Sequence, residues 1–186
     1  MDVAERVADD ARRTETVVAL ATALGAQTIA CYLSIPPEPD TRDLVDALVA
    51  EGFTVLAPVL TKGALVDGRR PPAWATYTGR DDLVPGWHGI DEPGGQHVDA
   101  SGLATADLVI TSALLGARDG VRLGVGGGWY DRALASARPD APIITLLHRG
   151  ELVDHLPSDD FDRRVDAFVL PQAVIWIDAG SSGSAT

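Results

Sequence analysis

Short apolar runs rich in β-branched residues alternate along this chain with amphipathic helical patterns, and that alternation restricts the fold more than any other feature. From Glu5 to Leu24 an alanine-rich helical pattern sets Val7, Ala11, Val18 and Ala21 to Leu24 among acids and arginines, and Gly25 can end it in a left-handed conformation. A buried strand within Gln27 to Ser34 follows and stops before Pro36-Pro37. Asp40-Thr41-Arg42-Asp43 caps a helix through Ala50, and Phe53 to Ala57 forms the next strand, so the first half holds a β-α-β unit with an expected right-handed crossover. A second unit runs from strand Asp107 to Thr111, through a glycine-rich turn and a helix from about Trp129 to Ala137, to strand Pro142 to Leu147. Ala167 to Leu170 and Val174 to Ile177 supply late strands. This order predicts one α/β domain over residues 1–178, three layers deep, with a mostly parallel central sheet, helices on both faces and ligands at the carboxyl ends of the strands. Residues 179–186 read as a flexible tail.

Between Leu60 and Ala100 the pattern gives way to recurring Gly, Pro and Asp, with a short alternation only around Trp74 to Tyr77. A loop of that length is expected to hold short strands or a hairpin and to wall a ligand cleft. The chain, 186 residues and 46% hydrophobic, can bury one substantial core. Its formal net charge of -12 sets it against nucleic-acid backbones and anionic membranes, so neither is expected as a partner. A polyanion must then be held by locally concentrated positive potential: a few arginines, backbone N–H groups and a metal ion. The single cysteine, Cys31, lies in an apolar run, excludes an internal disulfide and reads as a core residue. No run has the length of a signal peptide or a membrane span, which predicts a cytoplasmic protein. His88, His97, His148 and His155 lack metal-ligand spacing, so no structural zinc is expected.

The chemistry concentrates in Arg122-Leu123-Gly124-Val125-Gly126-Gly127-Gly128-Trp129-Tyr130-Asp131-Arg132. Residues without side chains at Gly124, Gly126, Gly127 and Gly128, just before a helix, can take positive φ and bring backbone N–H groups close to an anion. Arg122 and Arg132 bracket the turn with forked donors for phosphate, and Asp131 offers a hard oxygen suited to Mg²⁺. The Gly-x-Gly-Gly-Gly spacing is not the dinucleotide fingerprint, and no Lys-Ser or Lys-Thr follows to make a Walker A loop. A bare glycine cluster before a helix is often only a turn, with its Arg and Asp a solvated pair. The whole string is far more specific than its glycines.

That string resembles the signature of the 5-formyltetrahydrofolate cyclo-ligase family, also called 5,10-methenyltetrahydrofolate synthetase. Tyr32-Leu33-Ser34 with Glu38-x-Asp40-Thr41, Gly89-Ile90-x-Glu92-Pro93 and Asp107-Leu108-Val109-Ile110 resemble further pieces of the family in order, so the likeness runs from about Gln27 to Pro171. It implies a sheet of the NagB/RpiA/CoA transferase-like kind. It also implies an ATP- and Mg²⁺-dependent ring closure of 5-formyltetrahydrofolate to 5,10-methenyltetrahydrofolate, releasing ADP and phosphate. By the same resemblance Gly124, Gly126, Gly127, Gly128, Trp129 and Arg132 line the ATP phosphates, with Arg122 and Tyr130 close to the transferring group and Asp131 on Mg²⁺. Glu38, Thr41, Trp87 and Glu92 would face the folate. Glu38 can also be read as a solvated loop acid, and Glu92 as part of a turn fixed by Gly89 and Pro93. Trp74, Tyr77 and Trp87 either stack on the flat folate rings or pack beneath the long loop. The expected partners are small molecules, folate and ATP, with the chain a monomer or weak homodimer.

The chain departs from the family pattern in three places. Family members begin with a basic helix, whereas this one has Asp2, Glu5, Asp9 and Asp10 and no Lys before Lys62, leaving Arg6, Arg12 and Arg13 as substitutes. Gly116 and Ala117 stand where a Phe-Asp pair is usual, with Asp119 the nearest replacement acid, and Phe161 stands where the family carries His. These departures support a second reading, a paralogue that binds folate or nucleotide with little or no turnover. A third, a sugar-phosphate isomerase or acyl-CoA transferase relative, finds no base Lys or acyl-accepting Glu in a recognisable motif.

Overall fold

Every central strand alternates its side chains between two cores. In β1 (Thr28–Cys31), Ile29 and Cys31 enter one core and Ala30 the other. The computed structural model describes residues 2–65, 68–159 and 161–178, so the tail at 179–186 lies outside the described residues. Before β1 comes α1 (Val3–Ala23), and after it α2 (Arg42–Ala50) and β2 (Thr54–Val59). The long connecting region contributes β3 (Ala73–Tyr77), β4 (Leu83–Pro85), β5 (Asp91–Pro93) and β6 (His97–Asp99), followed by a 3-10 segment over Ala100–Thr105. The second half contains β7 (Leu108–Thr111), β8 (Leu115–Ala117), β9 (Arg122–Leu123), α3 (Trp129–Leu134), β10 (Ile143–Leu146), β11 (Leu152–Val153), β12 (Ala167–Leu170) and β13 (Ala173–Trp176).

The main sheet has eight strands in the order β13-β12-β10-β7-β1-β2-β3-β6. Strands β12, β10, β7, β1 and β2 are parallel, and antiparallel β13, β3 and β6 complete its two margins. Val17 and Ala21 of α1 and Leu44, Val45 and Leu48 of α2 join the core with Ile29, Leu108, Ile110, Ile144 and Val169. On the opposite face Ala133 and Leu134 of α3 and Leu103 pack with Ala30, Val109, Ile143 and Phe168. The result is the mixed α/β, three-layer arrangement expected of the alternating pattern. No helix among the described residues is long and apolar enough to cross a membrane.

The chain runs from β1 outward through β2 in one direction and from β7 through β10 to β12 in the other, so the strand order reverses between the adjacent β1 and β7. In an open parallel sheet, loops diverge at that reversal and leave a crevice beyond the strands' carboxyl ends. At the opposite end the two halves are latched: Asp107 accepts the N–H groups of Gln27 and Thr28, each at 2.9 Å, and pairs with Arg138 at 2.9 Å.

Several elements differ from the sequence expectation. The buried face of α1 is Asp9, Arg13, Val17 and Ala21, at four-residue spacing, while Val7 is exposed. Long-range pairing explains the polar half of that face. Arg149, just past β10, clasps Asp9 with two bonds of 2.8 and 2.7 Å, and Arg13 donates to the Leu147 carbonyl at 3.1 Å. Arg13 is therefore buried against the sheet rather than available as a substitute for a basic first helix, and Arg12 pairs with Asp9. Helix α3 closes at Leu134 instead of Ala137, its end continuing in turns donated by Ser136 and Ala137. Between β7 and the glycine turn the chain makes β8 and β9, which with β11 form a small separate sheet.

Candidate active site at the strand reversal

The segment leaving β1 is stitched into one shape before it reaches α2. Thr41 donates its hydroxyl to the Tyr32 carbonyl at 2.7 Å and accepts the Ser34 N–H at 3.1 Å, while Ser34 donates to Asp40 at 3.0 Å. Tyr32 closes the loop by donating to the Pro39 carbonyl at 3.0 Å. Thr41 is fully buried, so the residue expected to face folate instead shapes the loop. The part left facing the crevice is Glu38, whose Oε2 accepts the Ile35 N–H at 3.0 Å. Burial raises the Glu38 carboxyl above the ordinary carboxylate range, opposed by hydrogen bonds from Ile35 and from the side chain of Ser112.

Ser112 is the first residue beyond β7, and its influence on the Glu38 carboxyl sets the exits of the two strands beside each other at the reversal. Tyr130 of α3 arrives at the same place: burial raises its phenol, the carboxylate of Glu38 adds to that, and Arg122 and a backbone bond with Ser112 oppose it. The phenol therefore keeps its proton at neutral pH and can donate. Ser112, which stands where the family usually has a Pro, was not among the expected site residues, although its place directly after a central apolar strand was a usable signal.

The glycine turn lies above this group. Gly126 and Gly128 take φ of 84° and 58°, values that favour glycine. Arg132 donates Nη1 to the Gly127 carbonyl at 3.0 Å and the Gly128 carbonyl at 2.8 Å, fixing the turn from within. Among the described residues, the exposed N–H groups of Val125, Gly126 and Gly127 donate to nothing. A helix of six residues adds little dipole, so the donors themselves carry the anion-binding capacity of this turn.

Arg122 was expected to reach for phosphate, but it lies beneath the turn with its side chain 7% exposed. It donates to Asp131 Oδ1 at 2.8 Å and its guanidinium stands 5.6 Å from the centre of the Tyr130 ring. Its Nε is buried with no partner. Asp131 keeps its other carboxylate oxygen outside this bond, on a side chain 27% exposed. Trp129 turns inward, with ring centres 5.3 Å from Trp74 and 5.1 Å from Tyr130. Trp74 is buried and Tyr77, also buried, donates to Asp46 at 2.5 Å, so both pack rather than offer a stacking surface.

The remaining expected residues lie on other segments of the chain. Glu92 is buried and its Oε2 accepts from the Leu60 N–H at 3.1 Å and from the Thr61 hydroxyl at 3.0 Å, anchoring the loop that leaves β2. Trp87 is well exposed on its own 3-10 turn. Asp119 is held by Arg164 at 2.7 Å, and Phe161 is exposed. A concavity of about 290 Å³ lined by Thr28, Thr54, Trp74, Thr76, Gln96 and Thr105 opens at the starts of β1 and β2, the wrong end of the sheet, and none of its lining residues is charged. It has nothing with which to hold a triphosphate.

Comparison with known proteins converges on one family. The sequence profile of the 5-formyltetrahydrofolate cyclo-ligase family matches residues 2–171. A curated 5-formyltetrahydrofolate cyclo-ligase of Mycolicibacterium smegmatis is 31% identical over 149 residues, 80% of this chain and 76% of that one. One of Escherichia coli K12 is 32% identical over 153 residues, covering 80% of each. Among solved structures, the 5,10-methenyltetrahydrofolate synthetase of Aquifex aeolicus has a similar fold, with a TM-score of 0.78 at 22% identity over 98% of this chain and 88% of that one. The synthetase of Mycoplasma pneumoniae gives a TM-score of 0.68 at 18% identity over 92% and 90%.

Proposed function

This chain belongs to the 5-formyltetrahydrofolate cyclo-ligase family, and from that premise we propose that its reaction takes place in the crevice between the Glu38 loop and the glycine turn. The protein is a ligase that converts 5-formyltetrahydrofolate to 5,10-methenyltetrahydrofolate with ATP. The observation that carries the location is the meeting of Glu38, Ser112 and Tyr130 at the exits of β1 and β7, under a turn with exposed N–H donors.

The chemistry required there is definite. A formamide oxygen is a very poor leaving group, so it must first attack the γ-phosphorus of ATP, expelling ADP and leaving an iminium phosphate at N5. N10 then attacks the iminium carbon, loses its proton, and inorganic phosphate departs as the methenyl bridge forms. In this reading the N–H groups of Val125 to Gly127 and the outer face of Arg132 hold the phosphates in line with the formyl oxygen. Tyr130, which stays protonated, donates to an oxygen of the transferring group. Glu38 accepts from an N–H of the folate ring, and Trp87 covers the folate from the long loop.

Asp131 suits Mg²⁺, because that ion binds through one or two carboxylates and completes its shell with phosphate and water. Among the described residues no group of three or more His, Cys, Asp or Glu forms a closed metal cage. Asp131 would hold the ion by the oxygen that Arg122 leaves, and the ion would neutralise charge on the phosphates. The net charge of -12 disfavours a nucleic acid or an anionic membrane as a partner.

Mixing the protein with MgATP and 5-formyltetrahydrofolate and following methenyl absorbance tests this reading. Product is expected only with ATP present, and both Asp131→Ala and Arg132→Ala are expected to abolish it. Folate binding with no product at high enzyme would instead support the non-catalytic paralogue.

A further inference from the structure

The loop joining β2 to β3 brings a cationic side chain to the glycine turn. A methyl group built on Gly128 would stand 3.4 Å from Arg132 Nη1 and 4.0 Å from Arg69 Nη1. Two guanidinium groups from distant parts of the chain thus converge on one point beside the exposed N–H donors. Like charges so placed repel each other unless an anion lies between them.

Their pairing sets them apart from most other arginines. Arg12, Arg13, Arg42, Arg80, Arg118, Arg122, Arg138, Arg149 and Arg164 all form ion pairs with aspartates. Among the described residues neither Arg69 nor Arg132 has a carboxylate partner, although the chain carries 27 Asp and Glu against 15 Lys and Arg. Chance pairing with an acid is easy in such a protein, and among the described residues both arginines at the turn avoid it.

The described ends of that loop are anchored. Glu92 fixes its root through Leu60 and Thr61, and Arg70 donates to the Gly63 carbonyl at 2.7 Å. Gly63, at φ 86°, leaves room for Pro71, whose Cγ a β-carbon there would meet at 2.8 Å. Arg70, the neighbour of Arg69, is thereby tied back to the part of the chain that leaves β2.

We propose that Arg69 binds the terminal phosphates of the nucleotide from the β2–β3 loop. This rests on the glycine turn being the triphosphate site. Calorimetry with MgATP and, separately, with adenosine compares wild type, Arg69→Gln and Arg69→Lys. Arg69→Gln is expected to weaken MgATP about tenfold or more, as loss of one charged hydrogen bond does, and to raise the KM for ATP alike. Adenosine binding and the KM for folate stay unchanged, and Arg69→Lys recovers part of the loss. Equal weakening of adenosine and MgATP would assign Arg69 to loop packing and overturn the proposal, as would MgATP binding unchanged in Arg69→Gln. Wild type that binds no MgATP and forms no methenyl product overturns the reading of the site itself, a result distinct from either.

Discussion

Glu38 holds a carboxylate where burial penalises its charge, with the Ile35 N–H donating to it and Ser112 lowering that penalty. A folded-state carboxyl raised above its unfolded value favours folding at low pH. That contribution is lost, and the charge becomes a cost, as pH rises through the folded value. Glu38→Gln keeps an acceptor for Ile35 and removes the buried charge. Its thermal midpoint relative to wild type should therefore improve as pH is raised from about 4 to 7, while its KM for folate rises roughly tenfold or more from the lost charged hydrogen bond. Thermal scans across pH beside steady-state kinetics check both halves. A stability gap indifferent to pH would mean Glu38 is well solvated and has no claim on the substrate. Ser112 and Thr41 show the division of labour at this scale: one hydroxyl faces the shared carboxylate, while the other is spent on the Tyr32 carbonyl.

Strand β8 shows how the fold absorbs a departure from the family pattern. A β-carbon on Gly116 would lie 2.3 Å from Cε1 and 2.7 Å from Cζ of Phe168, so the ring of β12 fills the space a side chain at 116 would need. Gly116→Ala should cost about 1–3 kcal/mol by overpacking, lowering the melting midpoint by about 2–4 °C per kcal/mol for a chain of this size. Phe168→Leu in the same background should return part of that loss; no rescue would place the strain in the backbone. The major strands were legible in the sequence because each is a continuous apolar run buried on both faces. The inner face of α1 was not, because Asp9 and Arg13 are carried inward by Arg149 and Leu147, more than a hundred residues away, which no local periodicity reports. Strands β8, β9 and β11 are two or three residues long and exist only through their pairing with one another. The glycine turn, Glu38 and Tyr130 were legible as residues, whereas the inward turn of Arg122 and the approach of Arg69 belong to tertiary packing.

The whole molecule sets a strong negative charge against one small positive spot, and salt should act on the two in opposite directions. Self-repulsion of a net charge of -12 opposes the compact state, while exposed pairs such as Arg118 with Asp154 at 3.3 Å return little. Raising KCl from roughly 0.02 M to 0.5 M shortens the screening length several-fold and should raise the thermal midpoint of the free protein at neutral pH. The same salt screens the exposed donors of the turn and the guanidiniums of Arg69 and Arg132, so MgATP affinity should fall over that range. Parallel thermal scans and calorimetry on one preparation read both trends. A midpoint that falls with salt would show that ion pairs such as Arg149 with Asp9 outweigh the repulsion. An MgATP affinity indifferent to salt would show that the nucleotide is held chiefly through its base and ribose, leaving the glycine turn with no special part in recognising phosphate.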